Sequence, residues 1–115
     1  MKRNLDTIVL NYLVAALWTA EMDEFSAVCD VDSESKAIAT VIAQRFLDKA
    51  SPLLTEEWTD DLIGHDLWLT RGGHGVGFWD RNLPNGKELS DICNSMEFHG
   101  EVFEADGVVY VNETL

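Results

Sequence analysis

Residues 64–81 read Gly64-His65-Asp66-Leu67-Trp68-Leu69-Thr70-Arg71-Gly72-Gly73-His74-Gly75-Val76-Gly77-Phe78-Trp79-Asp80-Arg81. This stretch restricts the fold more than any other. It holds five of the eight Gly, two of the four Trp and two of the three His, with two Asp and two Arg. Glycine supplies backbone conformations closed to other residues. Tryptophan asks for a packed partner. A plain surface loop does not need the Trp, and a plain core strand does not need the His, Asp and Arg. The segment is therefore a structural hairpin with a demanding turn, or a site.

The flanking sequence supplies the rest of the architecture. Leu5, Ile8, Val9, Tyr12, Leu13, Ala16 and Leu17 recur at helical spacing and predict a helix over about 4–19, with Asn4 as its N-cap. Residues 20–33 are acidic and aperiodic, a loop. A second helix is expected over 34–49, capped by Asp32 or Ser33, with Arg45 and Lys49 laying their stems along one edge. Ser51-Pro52 stops it. Thr55 is expected to cap a short third helix that ends at Gly64. From His65 the period reads as two, with Leu67 and Leu69 alternating against Asp66, Trp68 and Thr70. That predicts a strand, a reversal at Gly72-Gly73 and a return strand over 76–80. Pro84-Asn85-Gly86 is a turn, 87–96 a short helix, and Asp106-Gly107 the turn of a second hairpin. The expected fold is one α+β domain over 1–115, with N-terminal helices packed on a small antiparallel sheet built from two β-hairpins.

Charge is the second constraint. The 115 residues carry a net charge of −13. The acids come in blocks: Glu21, Asp23, Glu24, Asp30, Asp32 and Glu34, then Glu56, Glu57, Asp60 and Asp61. After Lys87 no Lys or Arg follows, while Glu88, Asp91, Glu97, Glu101, Glu104, Asp106 and Glu113 do. Such a surface repels nucleic acid and anionic membranes and draws cationic partners. Direct nucleic-acid and membrane binding are therefore not expected. The N-terminal apolar stretch is too short and too interrupted for a bilayer span or a signal peptide, so the cytoplasm is the expected location. Cys29 and Cys93 fit no zinc or redox spacing and read as two reduced thiols.

At residues 64–81 the chain resembles a family of small, acidic, functionally uncharacterised proteins of bacteriophages and mobile elements. Their signature runs Gly-His-Asp-Phe-Trp-Leu-Thr-Arg-Asn-Gly-His-Gly-Ala-Gly-Phe-Trp-Asp-Arg. Here Leu67 replaces the Phe, Gly72 the Asn and Val76 the Ala. The likeness extends weakly to Tyr12-Leu13 and Ala16-Leu17-Trp18 and to the C-terminal hairpin. It implies a phage or mobile-element origin and no particular activity.

Three uses of these residues compete. His65, Asp66, His74 and Asp80 supply metal-ligand atoms, but in no known metal spacing. The same residues could serve a small enzyme by acid–base chemistry, although no nucleophile elbow or phosphate loop accompanies them. Alternatively Asp66 and Asp80 anchor the hairpin ends through Arg71, Arg81 or backbone amides. The reading carried forward needs no cofactor. It is an inhibitor of a host anti-viral nuclease complex, of CRISPR or restriction type, acting by acidic mimicry of nucleic acid. Its contact residues would be Asp23, Glu24, Asp30, Asp32, Glu56, Glu57, Asp60 and Asp61, with Arg71 and His74 at the hairpin tip. A structural or regulatory accessory role in the phage is the remaining alternative. The oligomeric state is not legible.

Overall fold

The computed structural model describes residues 2–96 and 100–113. Four α-helices and one two-stranded sheet are found among them: α1 Leu5–Thr19, α2 Ser33–Ala50, α3 Asp60–Arg71, α4 Gly86–Ser95, β1 Gly100–Ala105 and β2 Val108–Glu113. Single 3₁₀ turns follow α2, at Ser51–Leu53, and precede α4, at Phe78–Asp80. The class is α+β with the helices N-terminal to the sheet.

The expected caps are in place. The Asn4 side chain accepts from the Thr7 amide at 3.1 Å. The Asp32 carboxylate accepts from the Glu34 and Ser35 amides at 3.1 and 3.2 Å. Each satisfies donors that the first helical turn cannot pair internally.

The expected first hairpin is absent, and its first strand is the second half of α3. Nearly every residue of this helix from Ile63 to Arg71 is buried. A helix covered on all sides carries no polar stripe, so its sequence loses the 3.6-residue signature. Leu67-Trp68-Leu69 then fits alternation as well as it fits a helix. Gly64 is likewise no terminator. A β-carbon there would stand 2.1 Å from the Ile8 carbonyl oxygen, so Gly64 lets the backbones of α1 and α3 touch. The two helices run in the same sense, with Asn4 beside Asp60 at one end and Thr19 beside Trp68 toward the other. Thr55 caps nothing; its hydroxyl donates to the Glu57 carboxylate, and α3 begins only after Thr59.

Gly72 and Gly73 end α3 instead of reversing a hairpin. The His74 amide donates to the Leu69 carbonyl and the Gly73 amide to that of Thr70. Gly73 takes a φ of +67°. This is a Schellman stop, whose left-handed residue is usually glycine. The chain then drops Phe78 into the core, stacked on Phe46 at 5.2 Å and edge-on to Trp58 at 5.3 Å.

The C-terminal hairpin forms as expected. Asp106 and Gly107 both have positive φ, 54° and 82°, as a type I′ turn requires. Val102 pairs with Val111 and Phe103 with Tyr110. β2 also bridges in parallel to Val31 in the α1–α2 loop: Asp32 donates to the Val109 carbonyl and Val109 to that of Asp30, each at 2.8 Å. Val109 and Val111 turn inward, and β2 packs on α2.

Candidate functional site

The ionisable residues of 64–81 separate once α3 is a helix. Asp66 lies on its buried side, 1% exposed, and takes a two-pronged bond from Arg81, with Nε and an Nη each 2.8 Å from a carboxylate oxygen. Asp80 and Asp61 lie close enough to add to the field holding that guanidinium charged. Arg81 therefore neutralises Asp66 directly. His65 sets its Nδ1 3.8 Å from Asp66 Oδ1. His74 lies past the helix end, where the Schellman turn bonds its amide back to the Leu69 carbonyl and its ring sits by Trp68. Among the described residues no three His, Cys, Asp or Glu side chains converge as a metal group. The suggested quartet of His65, Asp66, His74 and Asp80 is not one site, because the hairpin that would have gathered it does not exist.

Arg71 is not at an exposed tip. It is 8% exposed in the last turn of α3, and its charge acts on Tyr12, Glu113 and Cys93. There the Tyr12 hydroxyl donates to Glu113 Oε1 at 2.8 Å, tying β2 to α1. Burial pushes the Tyr12 phenol well above its usual value, and the Glu113 charge adds to this. Burial also raises the Glu113 carboxyl, against the Tyr12 hydrogen bond and Arg71, which lower it. The Cys93 thiol is pushed up to about 12 by burial. Nothing in the motif signalled this cluster, since its members lie up to 101 residues apart. His74 is exposed, as expected, with its ring 6.4 Å from that of Trp68.

The acidic candidates divide by task. Asp30 accepts from the Ser26 amide at 2.7 Å, Asp32 caps α2, and Asp60 pairs with Arg3 at 3.4 Å. Asp61 is held below the usual carboxylate range by a hydrogen bond with Thr59, and Glu57 by one with Thr55. Asp23, Glu24, Glu56, Glu57 and Asp61 are exposed. The two blocks do not share one patch. They flank the ends of α2, whose 18 residues span about 27 Å. Glu97, in the acidic C-terminal part, lies outside the described residues.

A surface feature missed at the sequence level lies at the C-terminal end of α1. Trp18 is 60% exposed and borders an open cleft of about 500 Å³, with Val14, Leu17 and Phe25 as apolar walls and Asp23 and His65 beside them. The available signal was that Trp18 falls off the apolar stripe of its helix. Among the described residues no helix is long and apolar enough to cross a membrane. Comparison with models of protein families, with curated proteins and with solved structures finds no match to the chain.

Proposed function

We propose that this is a binding protein of phage or mobile-element type that inhibits a host nucleic-acid-handling defence protein by occupying its basic surface with carboxylates. The observation that carries this reading is the unbalanced acidic surface. Of the eight basic residues, Arg3 is committed to Asp60, Arg81 to Asp66 and Lys36 to the Val28 carbonyl, and Arg71 is buried. Lys2, Arg45, Lys49 and Lys87 remain as exposed cations against the acidic blocks. A surface of this sign accelerates encounter with a phosphate-binding groove and competes there with DNA or RNA. The resemblance of residues 64–81 implies only a phage or mobile-element origin; the restriction or CRISPR nuclease complex is our proposal for the host target of an acidic protein of that origin.

The test is inhibition of DNA binding by purified nuclease complexes of these two kinds. Inhibition is expected to weaken steeply as salt rises. It should disappear when Glu24→Lys, Glu56→Lys and Glu57→Lys are combined, with the circular dichroism spectrum unchanged. Inhibition that ignores both salt and charge reversal would remove mimicry from the mechanism. No effect on either kind of complex would remove the defence target.

A further inference from the structure

We propose that the cleft beside Trp18 seats a basic side chain of a protein partner. An arginine or lysine would lay its stem against the indole and meet Asp23 with its charge. This rests on the reading above that the partner is basic, and it names the place where one of its residues is anchored.

Trp18 lies in the last turn of α1 with most of its surface in water, although tryptophan is among the residues that gain most from burial. It is not a loose side chain, because its ring lies 6.1 Å from that of His65, tilted by 34°. His65 turns its Nδ1 inward toward Asp66, and its ring borders the cleft. Trp18 also borders a second depression of about 490 Å³, with Leu69, Val76, His74 and Glu21. Trp18 is thus shared by two hollows. Each has apolar walls and one carboxylate, and no Lys or Arg lines either.

The chemistry of the occupant follows from that lining. A wholly apolar segment would strip water from Asp23 and give nothing in return. An anionic one would meet Glu21, Asp23 and Glu24 on a loop without a base. A guanidinium or ammonium on an aliphatic stem satisfies each part at once. The stem covers Val14, Leu17 and Phe25, the cation rests on the indole face, where attraction to an aromatic ring is strongest, and the charge pairs with the carboxylate. Tryptophan is also among the residue types that most often dominate interface energetics.

The experiment titrates the full chain with the peptide acetyl-Gly-Arg-Leu-Arg-Gly-amide, and separately with its citrulline counterpart, following the Trp18 indole N–H by two-dimensional NMR. The arginine peptide is expected to give saturable shifts at Trp18, Phe25 and His65 that the citrulline peptide does not. Read at the Phe25 and His65 amides, Trp18→Ala should abolish the shifts, Asp23→Asn should weaken affinity severalfold, and Trp18→Phe should keep a reduced response. All three changes lie at the surface, and the remaining amide spectrum reports that the fold persists.

Equal shifts with citrulline would make the occupant apolar and overturn the proposal. So would concentration-dependent self-association abolished by Trp18→Ala, since the occupant would then be a second copy of this chain. Shifts at Glu34, Glu56 and Glu57 that survive Trp18→Ala would overturn the seat and leave the acidic-surface reading standing. Saturable binding at Trp18 by a protein that leaves every nuclease untouched would support the seat and sink the nuclease target.

Discussion

At the scale of single residues, this protein places its ionisable groups where the local sequence does not announce them. Asp66 and Arg81 are fifteen positions apart and form a two-pronged ion pair at 2.8 Å. That pairing was one of the options open from sequence, since a segment with two Asp and two Arg has few ways to neutralise itself internally. Glu113 was not foreseeable, because its partner Tyr12 is at the other end of the chain and reads as one more apolar stripe position. Its consequence is measurable. Burial raises the folded-state pKa of Glu113 above that of the unfolded chain, so the folded state holds this proton more firmly. The contribution to stability is greatest below the unfolded value, near 4.5, and is lost as pH rises through the folded value. Glu113→Gln removes that titration while leaving an acceptor for Tyr12. Urea unfolding of both proteins from acid to neutral pH is expected to shift progressively in favour of the variant as pH rises. A difference that is flat, or of opposite slope, would show that Arg71 holds the carboxylate ionised.

At the scale of elements, the parts read correctly are those whose signals are local. Asn4 and Asp32 are cap residues by chemistry, and Asp106-Gly107 is a turn by backbone preference. α3 was read as half helix and half strand because it lies between α1 on one side and α4 and the Phe78 turn on the other, and so has no solvent stripe. Gly64 and Gly73 were correctly singled out, since each position does exclude a side chain or demand a left-handed backbone. Only the element they serve was different. Gly64→Ala separates the two readings. In a helix-terminating role it would be tolerated at a modest cost. Within the contact between α1 and α3 it forces the helices apart, and a loss of about 3 kcal/mol or more is expected in spite of alanine's better helix propensity. Thermal unfolding followed by circular dichroism measures it, and an unchanged or raised midpoint would mean that α1 can move aside freely. The Trp18 cleft is likewise a product of packing between elements. It is assembled from α1, the following loop and α3, and only the pairing of α1 with α3 brings His65 to it.

At the scale of the whole molecule, a net charge of −13 within extents of 42 × 28 × 24 Å makes self-repulsion a standing term against the folded state. Raising salt from about 0.01 M to about 0.15 M shortens the screening length from about 30 to about 8 Å. The melting temperature is expected to climb over that range, in the opposite sense to the binding of a basic partner. Differential scanning calorimetry at matched pH tests this, and a falling midpoint would mean that ion pairs such as Arg3–Asp60 outweigh the repulsion. The position of α2 has a further consequence. With acidic groups at both of its ends, the helix would set the spacing of two contacts under the mimicry proposed above. Its length corresponds to about eight base-pair steps of a duplex. If the proposed mimicry holds, a target whose groove grips fewer steps than that would hold one end of this protein at a time, while a longer groove would be blocked at both ends by a single molecule.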